Sequence, residues 1–304
     1  MLFAPPERIA TTVFARVPDQ LRRPRRSDWA DANRGGAAVD CFLEGPSFDR
    51  AGNLWVTDIP NGRIFRVSPA GEFTLVAEYD GEPNGLKIAR DGRIFLADYK
   101  NGIMLLDAAS GRVEPVMPRR HSERFRGPND LVFAADGDLY FTDQGQTGHH
   151  DPTGRVYRLT AAGRLECLID RVPSPNGIAL SPDGRTVYVA VTRANAVWRM
   201  PLMADGFVAK VGTWIQLSGG VGPDGIAVMA DGGIAICHVG LGAIWVFDAF
   251  GEPRWRVDTC RGRGTTNLAF GGPEGRTVFI TESETGTILQ ATLPVAGLAL
   301  YSHA

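Results

Sequence analysis

Short apolar segments and turns alternate along most of this chain, and the same unit returns six times. Compare EGPSFDRAGNLWVTD from Glu44, EPNGLKIARDGRIFLAD from Glu82, GPNDLVFAADGDLYFTD from Gly127, SPNGIALSPDGRTVYVA from Ser174, GPDGIAVMADGGIAICH from Gly222 and TTNLAFGGPEGRTVFITE from Thr265. Each copy is an apolar run, a turn carrying a glycine (Gly52, Gly92, Gly137, Gly184, Gly232, Gly275) and a second β-rich run such as Asn53–Asp58. The glycines recur 40, 45, 47, 48 and 43 residues apart, the length of a four-stranded propeller blade. Copy one also shows the third and fourth strands, at Arg63–Val67 and Phe73–Glu78. The pattern predicts an all-β fold, a six-bladed β-propeller with four strands per blade, its repeats spanning residues 44–293 of a single domain covering 1–304.

The sixth copy supplies only three strands, ending at Thr287–Leu293. Thr11–Val17, TTVFARV, lies outside the repeats and has strand composition, so it is expected to complete blade six and close the ring, which would remove exposed sheet edges. Residues 18–40 read as a loop insertion. Its stretch Leu21–Arg34 carries five arginines, but Asp28 and Asp31 interrupt them.

Composition adds little beyond this. The 37 glycines among 304 residues fit many turns, and a net charge of -2 gives no field for nucleic acid. No run approaches the ~18 apolar residues of a membrane span, so a cytoplasmic enzyme with neither membrane nor nucleic-acid partners is the simplest expectation. Cys41, Cys167, Cys237 and Cys260 are far apart and form no CxxC pair, which predicts reduced thiols.

The residue eight positions before each turn glycine is Glu44, Asn84, Asn129, Asn176, Asp224 or Asn267. All six carry a side-chain oxygen, and repeat symmetry aims them at the channel axis. Asn-Gly and Asp-Gly turns would explain Asn84, Asn176 and Asp224, but not Glu44 or Asn267. Two carboxylates among neutral amides suit one hard divalent cation. Ca²⁺ is the first expectation, with Mn²⁺, Mg²⁺, Zn²⁺ and Fe²⁺ as alternatives.

From Phe42 to Leu293 the chain resembles the senescence-marker-protein/gluconolactonase/regucalcin family, through LEGP at Leu43–Pro46, GPND at Gly127–Asp130, SPNGIALSPDG at Ser174–Gly184 and PDGIAV at Pro223–Val228. The resemblance implies a metal-dependent hydrolase that opens a small lactone. It places metal ligands at Glu44, Asn129, Asn176 and Asp224, with Asn129 also a candidate substrate contact; Asn84 and Asn267 are not carried over as ligands and are expected to shape the channel wall or contact substrate. It also implies a substrate-holding arginine at Arg126, three residues before Asn129 where the sugar lactonases place it two before. Asp224 is the first candidate for the catalytic base. Asp143 is the second, because related bacterial lactonases use an aspartate there, although Asp58 and Asp98 share its repeat position and suggest a capping carboxylate. His238, at a strand end near Asp224, is a candidate substrate contact or a structural histidine, and His149 and His150 are expected in a loop of blade three. Two alternatives stay open: organophosphate hydrolysis, as in diisopropyl fluorophosphatase, which is similar in fold and calcium cluster, and a non-catalytic calcium- or ligand-binding propeller. No GxSxG, P-loop or HExxH motif competes.

Overall fold

Strands that bury both faces read as nearly continuous apolar runs, and the second strand of each repeat is of this kind. In Leu54–Asp58, Leu54 and Val56 pack toward one neighbouring blade and Trp55 toward the other. The computed structural model of the chain, which describes residues 4–303, arranges these strands as six antiparallel four-stranded blades. Six apolar clusters lie between successive blades, so the core is a ring of wedges rather than one central mass. The inner strands are Leu43–Phe48, Pro83–Ile88, Pro128–Phe133, Pro175–Leu180, Gly222–Val228 and Thr265–Gly271.

The ring closes as expected. Thr12–Arg16 pairs antiparallel with Thr287–Thr292, with Val13 opposite Leu289 and Arg16 opposite Thr287. Ala15 and Val17 enter the cluster between blades six and one, and Phe14 meets Phe279 edge-on at 4.9 Å. One further strand has no counterpart in the repeat pattern. Glu7–Ala10 adds in parallel to Pro253–Asp258 of blade five, so the N-terminal segment covers the outer edges of two blades in succession. Deleting residues 1–17 removes this clasp together with about 3–5 kcal/mol of side-chain burial. The melting temperature is therefore expected to fall by roughly 10 °C, and calorimetry showing a change of under about 2 °C would contradict the clasp.

The insertion at 18–40 is not wholly a loop. Asp28–Arg34 forms a short helix: Ser27 Oγ accepts a hydrogen bond from Ala30 N at 3.2 Å, and Gly35 at φ +60° ends it. Trp29 and Ala30 bury against Ile59, with Trp29 also packed on Phe42 at 4.6 Å. Asp28 and Asp31, which interrupt the basic stretch, occupy the first turn, where the helix dipole favours them, and Arg34 sits in the last.

At the other end of the channel the C-terminal segment folds across the opening. Leu298 N bonds Val228 O at 2.9 Å, Ser302 Oγ bonds Phe48 O at 3.3 Å, and Tyr301 stacks on Phe133 at 4.8 Å. Between this plug and the inner strands lies a cavity of about 130 Å³. No helix among the described residues is long and apolar enough to cross a membrane, and all four cysteines are free thiols.

Candidate active site

Every inner strand breaks register with its neighbour near its start. The pairing slips between Glu44 and Ser47, Pro83 and Leu86, Pro128 and Leu131, Pro175 and Ile178, Pro223 and Ile226, and Thr265 and Asn267. Such a bulge re-aims a side chain, and the residues it re-aims are those picked out by the repeat: Glu44, Asn84, Asn129, Asn176 and Asp224. Hydroxyls of the preceding blade fix two of them by the backbone, since Thr57 Oγ1 donates to Asn84 O at 2.6 Å and Thr142 Oγ1 to Asn176 O at 2.7 Å.

Asn267 is not their equivalent. Its backbone N donates to Thr281 Oγ1 at 3.0 Å, and its Oδ1 accepts from Leu268 N at 2.8 Å. Asp130 makes the same pair of contacts, to Thr142 Oγ1 at 3.1 Å and from Leu131 N at 2.8 Å. Asn267 therefore matches Asp130, and Thr266 takes the sixth ring position. The cause is the turn after Phe270, which is one residue longer than in blade four: Phe270 pairs with Val278 where Leu180 pairs with Val187. Counting back eight residues from the glycine therefore stops one residue short of Thr266.

That second level of the channel is glycine in four blades. A Cβ on Gly85 would lie 2.6 Å from Asp130 Oδ1, and one on Gly225 would lie 2.1 Å from Asn267 Oδ1. Bare backbone there admits the two larger side chains. Asn267 Nδ2 donates to Glu44 Oε2 at 2.8 Å and lies 3.5 Å from Asp130 Oδ2. The repeat gave no reason to single out Asp130, which is 1% exposed; the only signal was an acidic residue where four other copies have glycine.

The result is a carboxylate cluster in which Glu44 and Asp130 are buried and Asp224 is partly buried. Glu44 is pushed up to about 7, chiefly by burial and then by the charge of Asp130. Asp224 is held well above the usual carboxylate range by burial, then by Glu44 and Asp130, with a hydrogen bond from Asn176 opposing. Oδ1 of Asn84 and Oδ1 of Asn176 are buried acceptors without a partner, each costing about 1–3 kcal/mol if left so. Among the described residues no group of three His, Cys, Asp or Glu side chains forms a metal cage by itself, so a cation here would draw on the amide oxygens too. Two mutually repelling carboxylates beside orphaned amide oxygens fit a hard, oxygen-seeking divalent cation. Asn129 turns its Nδ2 to Gln144 Oε1 at 2.9 Å, and Gln144 Nε2 in turn donates to Ser174 Oγ at 2.9 Å.

Asp143 belongs to a different series. It pairs with Pro128 at the end of the second strand, as Asp58 does with Leu43, Asp98 with Pro83, His238 with Pro223 and Glu282 with Thr265. The four acidic members each accept the N–H of the residue before the inner strand: Phe42, Glu82, Gly127 and Gly264. Asp143 thus clamps the entry to Pro128–Asn129, with Gly127 N to Oδ1 at 2.8 Å and Oδ2 unpartnered. Burial raises its carboxyl from 3.8 to about 6. A carboxyl raised in the fold costs nothing below its unfolded value and its full penalty above its folded one, so stability drains away as pH climbs from about 4 to about 6. Asp143→Asn retains the acceptor for Gly127, and its stability profile across that window is expected to be flatter by about 3 kcal/mol; chemical denaturation at pH 4 and pH 7 would show this, and an unchanged slope would refute it.

His238 is fully buried, with Nε2 2.9 Å from Gly219 O and Nδ1 unpartnered; burial lowers its pKa, favouring the neutral ring. At the rim Arg126 faces Asp151 at 3.6 Å, and Gln146 Nε2 reaches Tyr99 OH at 2.9 Å and Asn33 Oδ1, from the inserted helix, at 3.3 Å. His149 and His150 are exposed in the neighbouring loop.

Comparison with known proteins agrees with this architecture. Residues 42–284 match the family model described as the SMP-30/Gluconolactonase/LRE-like region. Lactonase drp35 of Staphylococcus aureus is 30% identical over 246 residues, covering 77% of this chain and 74% of that protein, and lactonase drp35 of Staphylococcus epidermidis is 31% identical over 223 residues, 69% and 67%. Among solved structures, a calcium-binding regucalcin from Agrobacterium tumefaciens superposes with a TM-score of 0.79 at 24% identity, covering 98% of this chain and 99% of that one. A gluconolactonase from Xanthomonas campestris does so at 0.75 and 23%, covering 93% and 99%. The structural matches speak for the fold, and the sequence matches for descent: the chain belongs to the SMP-30/gluconolactonase/LRE-like family.

Proposed function

We propose that this protein is a divalent-metal-dependent lactonase, opening the cyclic ester of a small lactone to a hydroxy acid. The observation that carries the reading is the pairing of two carboxylates, the buried Glu44 and the partly buried Asp224, with the unpartnered amide oxygens of Asn84 and Asn176 at one end of the channel. The relatives named lactonase drp35 support the choice of substrate class.

Glu44, Asn176 and Asp224 would hold the cation, with Asn129 completing the set and Asn84 facing it or the substrate; Ca²⁺ is the first choice for an all-oxygen site. When bound, the cation supplies Lewis-acid polarisation of the ester carbonyl and offsets the charge that grows on its oxygen. Asp224 stands beside the cation as the acceptor for the proton of the attacking water. Asp143 holds Gly127 and so positions Asn129, a role in orientation rather than proton transfer. Arg126, at the rim, meets polar groups on the substrate, while the buried, neutral His238 keeps the mouth of blade five in shape.

The test is acid release from a panel of aldonolactones, aliphatic γ-lactones and aromatic δ-lactones, assayed beside phosphotriesters. Hydrolysis of at least one lactone, abolished by a chelator and restored by Ca²⁺ or Mn²⁺, is the expected result. Turnover of phosphotriesters alone would move the assignment to organophosphate hydrolysis, and no acid release with any cation would leave a binding propeller.

A further inference from the structure

Next to the proposed cation ligands stands a third carboxylate, Asp130, and a lysine lies beside it. Asp130 is 1% exposed and lies in the field of both Glu44 and Asp224. Gly85 makes room for it, and Leu131 N and Asn267 Nδ2 hold its two oxygens. Lys87, three residues beyond Asn84 on the inner strand of blade two, brings Nζ to 3.8 Å from Asp130 Oδ1, with only 20% of its side chain exposed. At the same level the other inner strands carry Ser47, Val132, Ala179, Ala227 and Ala269, none of them charged. Ionised, as a bound cation would keep them, Glu44, Asp130 and Asp224 would carry three negative charges, and Lys87 returns one. The balance matches a doubly charged cation, whereas three carboxylates alone would match a triply charged one.

We propose that Lys87 is a built-in counter-cation which, through Asp130, tunes the channel site to divalent ions and against ions of higher charge. The inference rests on the cation reading above, and concerns affinity and charge selectivity rather than turnover. Lys87 is a positioning and selectivity residue: it repels the bound ion while offsetting the third carboxylate.

Isothermal titration of the purified protein with Ca²⁺ and with La³⁺ tests this. Lys87→Met is expected to tighten Ca²⁺ binding by about a hundredfold, the scale of a unit charge acting on a doubly charged ion at partly buried range, and to raise the La³⁺-to-Ca²⁺ affinity ratio by about tenfold, the share of the third charge. Lys87→Arg should leave both within about threefold, and Lys87→Met combined with Asp130→Asn should return the ratio to the wild-type value. A merely structural lysine would give weaker binding and an unmoved ratio. Lys87→Gln serves if the methionine variant fails to fold, judged by circular dichroism. Wild type that binds Ca²⁺ with an unchanged ratio in the lysine variants overturns this inference and leaves the lactonase reading standing. Binding gained only on removing Lys87 supports the inference and overturns the wild-type cation site, and no binding by any variant overturns both.

Discussion

Asp224→Asn is expected to lose on the order of 10³-fold in kcat/KM for the best lactone, while the metal-free variant melts higher than metal-free wild type. The two effects have one cause. The Asp224 carboxyl sits far above its ordinary pKa because it is desolvated beside Glu44 and Asp130, so in the absence of a cation it costs stability at any pH above the range in which an unfolded aspartate ionises. An asparagine carries no such cost. Relief of even about 1–2 kcal/mol would raise the melting temperature by roughly 2–8 °C. Adding Ca²⁺ should invert the order, because an ion at about 100 times its dissociation constant stabilises wild type by about 2.7 kcal/mol and the variant hardly at all. Thermal melts of both proteins with a chelator and with Ca²⁺ would show the crossing; parallel curves would mean that Asp224 is an ordinary structural aspartate.

A larger effect on folding is expected one residue further on. In Gly225→Ala the new Cβ would meet Asn267 Oδ1 at 2.1 Å and, less negotiably, Asn267 Cα at 2.6 Å. A side-chain oxygen can swing away, but that Cα belongs to the inner strand of blade six, which is itself paired to Thr277–Glu282. Overpacking against backbone costs about 3 kcal/mol or more, enough to send the protein to aggregates or drop its melting temperature by roughly 10 °C. Gly212→Ala is the matched control. Gly212 also begins a strand, and a Cβ added there would meet nothing within 4 Å, so a change within about 1 kcal/mol is expected. Soluble yield and denaturation midpoints compare the two, and an equally benign Gly225→Ala would mean that the inner strands are not packed as closely as described.

The blade repeat was legible because a propeller writes its symmetry into the chain: turn glycines mark each first hairpin, and a fixed offset finds Glu44, Asn84, Asn129, Asn176 and Asp224. The offset failed where a loop changed length, at Asn267, because register is set by cross-strand hydrogen bonds such as Leu268 opposite Ile280 and not by distance along the sequence. Asp130 and Lys87 escape the repeat for a related reason. Their significance comes from departing from it, and from Gly85 leaving space for a neighbour, which only three-dimensional packing displays. The helix Asp28–Arg34 was hidden by its charges, which read as solvated loop until Trp29 is seen buried on Ile59 and Phe42. Glu7–Ala10 offered four residues with no turn beside them, and its partner lies about 250 residues away.

Convergence of Glu44, Asn176 and Asp224 on one divalent cation underlies both the proposed chemistry and the role of Lys87. Its most direct measurement is equilibrium binding of Ca²⁺ and Mn²⁺ to chelator-stripped protein, for wild type beside Glu44→Gln and Asp224→Asn. One ion per chain is expected in wild type, with a loss of at least about 100-fold in affinity in each variant. Wild type that binds no divalent ion, or variants that bind it as tightly as wild type does, would contradict it.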